Sequence, residues 1–188
     1  ISVVGRFPSI LCLSLAACLL TGCGDGKTSA ERAAEQGVLL VGNNAEPQSL
    51  DPHKATAVAD GKVIAALLEG LVRPDAADDS TVHPGVAESW EHNEDASVWT
   101  FHLRDTEWSD GTPLTAEDFA YSYQRLLHPQ FGGKYAEMLY PLLHAEDFNK
   151  GKCAWSDVGV ETPDARTLRL TFSGPTPHAL HLLLHFTW

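Results

Sequence analysis

Between Val98 and Arg104 the chain reads Val-Trp-Thr-Phe-His-Leu-Arg, and this alternation is what most narrows its fold. Successive side chains of a β-strand point to opposite faces, so Trp99, Phe101 and Leu103 predict one buried face, and Thr100, His102 and Arg104 a wetter one. A strand of this kind needs a partner. The segment Glu88-Ser89-Trp90-Glu91 followed by Asn93-Glu94-Asp95 supplies one, so Val86 to Trp108 is read as a β-hairpin, with a further turn at Asp110-Gly111. Asp157 to Val160 and Thr167 to Phe172 are also strand-like, the latter with Leu168, Leu170 and Phe172 on one face. Val38-Leu39-Leu40-Val41 is read as a buried strand.

Helices are interleaved with these strands. Asp60 to Leu71 carries Val63, Leu67 and Leu71 at four-residue steps, with Ile64 and Leu68 beside them, and Arg73-Pro74 stops it. Thr115 with Asp118 three residues on reads as a capping box, opening a helix with Phe119, Tyr123, Leu126 and Leu127 on its apolar side, ended by Pro129. Tyr135 to Leu143 is a short helical stretch. Pro177 to Phe186 predicts a last helix with Pro in its first turn. The pattern is that of an α/β fold.

The first residues obey different rules. Arg6 is the only charged residue before Cys23, Ile10 to Leu20 is apolar, and Leu20-Thr21-Gly22-Cys23 follows directly. A basic start, a short apolar core and small residues are the pattern of a secretory signal, and the apolar run falls short of the ~20 residues that span a bilayer. The four-residue motif resembles the lipobox of bacterial lipoproteins. That resemblance implies a signal peptide over 1–22, lipid attachment at Cys23 and a membrane partner held through that anchor; residues 23–36 are read as a flexible tether. Cys12 and Cys18 fall within the signal, which leaves Cys153 as a free, semi-buried thiol.

A formal charge of −12 with no Lys/Arg cluster excludes a nucleic-acid surface. Phosphate-loop, nucleophile-elbow, His-Glu-x-x-His and Cys-x-x-Cys motifs are all missing, so the expectation is a protein that is not an enzyme and carries no cofactor. Histidine offers the sharpest contrary signal. His178, His181 and His185 would share one face of a helix, as a zinc or nickel site wants, but no carboxylate or Cys joins them, so no metal is assigned. His53, beside Pro52, is read as a loop residue. Trp99 belongs to a core face, and Trp90 and Trp108 are weighed as ligand stackers.

Several stretches, in order, resemble one family. Glu46-Pro47-Gln48-Ser49-Leu50-Asp51-Pro52-His53-Lys54, Leu68-Glu69-Gly70-Leu71-Val72 and Pro84-Gly85-Val86-Ala87-Glu88-Ser89-Trp90 are followed by Val98 to Arg104, Trp108-Ser109-Asp110-Gly111-Thr112-Pro113, Asp118 to Arg125 and Leu168-Arg169-Leu170. Together they are similar to the oligopeptide- and dipeptide-binding solute-binding proteins of bacterial ABC importers. The resemblance implies part of a two-lobed periplasmic-binding-protein fold: the start of the first lobe over 37–56, an inserted small α/β domain over 57–165, a return into the first lobe over 166–188, and no second lobe. It implies a monomer that binds an extended oligopeptide and delivers it to an inner-membrane ABC permease, on the periplasmic or cell-surface side. Thr56 and Val58 match the loop whose backbone faces the peptide, and Tyr135 matches a Tyr near the ligand. The same scaffold tuned to a cell-wall peptide, dipeptide, haem or chelated nickel is the alternative, as is a truncated remnant without function.

Overall fold

The computed structural model describes residues 26–78 and 80–188. The signal peptide expected over 1–22 and the lipid site expected at Cys23 lie outside them. The chain divides into two compact units between Gly42 and Asn43.

In the first unit, part of the expected tether is helical instead: α1 spans Ser29–Glu35. Thr28 and Glu31 form a reciprocal capping box, the Thr28 N–H donating to Glu31 Oε2 at 2.6 Å and the Glu31 N–H to Thr28 Oγ1 at 3.2 Å, ahead of helix-favouring alanines. Val38 to Val41, expected as a buried strand, is neither paired nor buried; Leu39 is 84% exposed. A strand exists only through a neighbour's hydrogen bonds, and none of the described strands pairs with this run.

The second unit is organised around a four-stranded antiparallel sheet of order β3-β4-β6-β5: β3 is Ala87–His92, β4 Val98–Leu103, β5 Val160–Asp164 and β6 Thr167–Thr171. The expected hairpin is present, with Trp90 opposite Phe101. On the other side of β4, Trp99 faces Leu170 and Phe101 faces Leu168, so the two alternating patterns meet in register on one apolar face. Phe101, Leu168 and Leu170 are wholly buried, and each such side chain stabilises the fold by about 1.5–3 kcal/mol. The strand expected at Asp157 to Val160 starts later, because Trp155–Asp157 is a short 3₁₀ turn. Thr167–Thr171, expected in a return to the first lobe, is an inner strand of this sheet. The boundary placed at residue 166 falls in the β5–β6 turn.

Over the apolar face lies a helix, α3, Ala116–Leu127, burying Phe119, Tyr123, Leu126 and Leu127 as its periodicity predicts. Its start differs in one detail. Asp118 accepts the Thr115 N–H at 2.8 Å, but the Thr115 hydroxyl also donates to that carboxylate, at 3.1 Å, rather than capping an amide. Ala136–Leu139 is a 3₁₀ turn, and α4 is the short helix Ala145–Asn149.

The remaining helices depart further from expectation. α2 runs Val58–Leu67, ahead of the expected Asp60 to Leu71. It buries Asp60 and Ile64 and leaves Leu67 and Leu68 exposed. Arg73-Pro74, expected only as a stop, belongs to β1, Val72–Pro74, which pairs with β2, Val82–Pro84. Of the expected helix Pro177 to Phe186 only one turn, α5, Ala179–Leu182, is α-helical. Beyond it the bonds tighten to three-residue steps, Leu184 N–H to His181 O and His185 N–H to Leu182 O. Among the described residues no helix is long and apolar enough to cross a membrane.

Gly85 sits where β1 and β2 fold against the preceding chain. A Cβ there would lie 2.6 Å from Gly70 O and 3.0 Å from Leu71 O, both backbone atoms. Gly174 has nothing within 4 Å of the same position. Chemical denaturation is expected to show Gly85→Ala destabilised by about 1–3 kcal/mol, with Gly174→Ala close to wild type. Equal midpoints for the two variants would refute this account of Gly85.

Candidate functional site

Ahead of α2 the chain runs through a loop with Pro47 and Pro52 and little regular structure. Its shape is held by side chains. Asp60, 1% exposed at the start of α2, accepts the Gln48 N–H at 2.8 Å and the Ala57 N–H at 3.3 Å. The Gln48 N–H first, then those of Ala57, Thr56 and Ser49, hold its carboxyl below the usual carboxylate range. Asp60 thereby curls the loop back onto the helix that follows it.

A second set of bonds ties the loop to α3. Arg125 presents its planar fork to Asp51, with Nη1 at 3.0 Å from Oδ1 and Nη2 at 2.6 Å from Oδ2. The same Nη1 is 2.8 Å from His53 Nδ1, and Ser122 Oγ is 3.2 Å from His53 Nε2. An Arg N–H only donates, so His53 Nδ1 is the acceptor and the ring is the neutral Nε2–H tautomer. Phe131 closes the cluster: the guanidinium lies 4.2 Å from its ring centroid, and the His53 ring meets it edge-on at 6.0 Å. Burial, and then the Arg125 charge, bring the His53 value down to about 4; the Arg125 hydrogen bonds bring Asp51 down to about 2.

The loop ends at Thr56-Ala57-Val58, and here the three sequence-matched positions come together. Thr56, Val58 and Tyr135 line one groove of about 440 Å³, with Gly61, Lys62, His185 and Phe186. The Tyr135 hydroxyl donates to Thr56 O at 3.4 Å, while the His185 and Phe186 rings stand edge-on to Tyr135 at 5.4 and 6.1 Å. Ala57 is extended (φ −92°, ψ 149°), so Thr56 C=O and Val58 N–H face the same way, as along a strand edge. Val58 opens α2, where an N–H has no acceptor within its helix. The groove thus offers a backbone donor and acceptor beside aromatic faces, which suits an extended amide chain.

The histidine stripe disperses. His178 is exposed ahead of α5, His181 Nε2 lies 3.3 Å from Ser80 O, and His185 stacks on Phe186 with Nδ1 2.9 Å from Thr187 Oγ1. Tightening to three-residue steps rotates His185 off the common face. Among the described residues no three His, Cys, Asp or Glu side chains are grouped to hold a metal. Trp90 is half-buried against the sheet core and Trp108 is 42% exposed; neither lines the groove. Asp51, His53, Ser122 and Arg125 received no role from the sequence. Asp51 and Arg125 are 74 positions apart, and no local pattern announces such a pair.

Residues 81–187 match the family described as bacterial extracellular solute-binding proteins, family 5, middle region. The chain belongs to this family. As a family 5 solute-binding protein it is similar to the periplasmic oligopeptide-binding protein OppA of Escherichia coli, 45% identical over 81% of this chain and 28% of the relative. Among solved structures it is similar to Haemophilus influenzae OppA in complex with the peptide RPPGFSPFR, at 41% identity and TM-score 0.73, over 77% of this chain and 28% of that one. It is also similar to the E. coli murein tripeptide-binding protein MppA, at 39% identity and TM-score 0.71, over 76% of this chain and 28% of that one. The fold is therefore that of part of a substrate-binding protein. The chain spans between a quarter and a third of the length of these relatives.

His53 binds its proton near 4 when folded and near 6.5 ordinarily, so the unfolded chain protonates first and stability declines as pH falls from about 6.5 to 4. Asp51 adds stability above 3.8 that is lost as pH falls toward 2. Urea midpoints across this range are expected to fall less steeply between pH 6.5 and 4 in His53→Gln than in wild type. Parallel profiles would remove His53 from the account.

Proposed function

We propose that this chain is the peptide-facing portion of a substrate-binding protein that takes up oligopeptides in extended form, delivers them to an inner-membrane ABC permease, and performs no catalysis. The observation that carries the reading is the convergence of Thr56, Val58 and Tyr135 on one groove with an open backbone edge. Recognition through amides common to all peptides explains why side-chain sequence would matter little. The oligopeptide-binding relatives support the same ligand class.

In this reading the protein acts as a monomer outside the inner membrane, and Cys23 carries the lipid that holds it there. Stable anchoring takes more than one acyl chain, which a doubly modified Cys provides.

Calorimetric titration of the full-length protein with tetra-alanine tests the ligand. Val58→Pro removes the N–H at the first helical position, where Pro fits and the extended Ala57 before it is compatible. It is expected to cost about 1 kcal/mol of binding, while Val58→Ala stays within roughly twofold of wild type. The reverse ranking would mean that the Val58 side chain, not its backbone, meets the ligand. No tetra-alanine binding, with binding of a murein tripeptide, would favour the cell-wall-peptide alternative. Incorporation of labelled palmitate, expected in wild type and lost in Cys23→Ala, tests the anchor.

A further inference from the structure

We propose that Arg125 is the positioning residue of the groove, holding its ligand-facing backbone in place through Asp51 and His53. This rests on the peptide-groove reading above and adds residues that do not touch the ligand.

Two stretches that line the groove are bonded to His53 or follow it. One follows it directly in sequence: Lys54 and Ala55 N–H bond back to Asp51 O, each at 3.0 Å, and Thr56 to Val58 come next. The other is tied on from afar. The Lys134 N–H donates to His53 O at 3.1 Å, and Tyr135 is the next residue. Tyr135 then reaches across to Thr56 O. A displacement of His53 shifts the Thr56 side directly and loosens the Lys134 bond beside Tyr135.

His53 is fixed in turn by α3. Arg125 grips Asp51 with two parallel bonds and His53 Nδ1 with the shared Nη1, and Ser122 meets the other ring nitrogen. The buried side of α3, Phe119, Tyr123, Leu126 and Leu127, is part of the sheet core. Arg125, with Ser122 beside it, therefore links the stretch from Asp51 to Val58 to the rigid body of the unit. Asp60 cannot substitute for it. Its carboxylate joins the loop to α2, and α2 begins within the same groove. Lysine cannot fully substitute either, because one ammonium cannot reproduce the planar fork.

The test uses the full-length protein, with tetra-alanine as probe and hydrogen exchange read by mass spectrometry. Arg125→Ala is expected to weaken tetra-alanine binding roughly tenfold, since a smaller fraction of molecules holds the competent backbone. Arg125→Lys is expected to recover part of the loss. Amide exchange should accelerate over 51–58 and around Tyr135 but not over β4, which a general loss of stability would also move. Affinity within twofold of wild type in Arg125→Ala overturns the proposal, as does equal acceleration over β4. Wild type that fails to bind tetra-alanine defeats the peptide reading; the exchange over 51–58 then still decides whether Arg125 positions the loop, and no change there overturns it.

Discussion

The unit from Asn43 onward depends on the placement of β4 between β3 and β6. A strand inside an antiparallel sheet has its backbone satisfied on both edges, and this one presents three large apolar side chains to a single face. Leu168 and Leu170 extend that face, and α3 covers it. The alternate positions turn to the far side, where Arg169 meets Glu161 and His102 approaches Glu91 in water. Those exposed pairs add little stability. The weight lies in the covered face.

α3 has two tasks because it has two sides. Its apolar side completes the core, including Tyr123, whose hydroxyl donates to Trp188 O and whose ionisation burial opposes. Its polar side offers Ser122 and Arg125 to the loop before α2. The periodicity of one helix thus joins a regular sheet to an irregular loop. The loop needs such outside help, since a segment with two prolines and few backbone partners has no ladder of its own.

What was legible in the sequence follows from the range of each interaction. The β4 alternation, the hairpin turn at Asn93 to Asp95 and the apolar stripe of α3 are written within a few residues, and all three recur in the structure. Val38 to Val41 and Leu67-Leu68 are apolar yet exposed, because apolar character reports a preference for a partner, not that a partner is near. Composition over 23–36 points to a tether, whereas the capping signal at Thr28 and Glu31 specifies the first helix. The end of the histidine stripe depends on whether a turn closes over three residues or four, which spacing alone does not state. Thr56, Val58 and Tyr135 were singled out by family resemblance, and their convergence is a property of the fold. The Asp51–His53–Arg125 cluster joins residues up to 74 positions apart, and no local pattern marks it.

The sheet order also bears on how the unit is made. β3 and β4 can pair as soon as their hairpin turn closes, but β4 meets β6 only after the whole stretch from α3 to β5 has followed, Val98 finally lying beside Thr171. Non-local pairing of this kind is the slow part of folding, since loop closure must precede the contacts that reward it. Until β6 arrives, the strand that carries Trp99, Phe101 and Leu103 has an open edge. The interval between those two pairings is when the chain is most open to association with other chains.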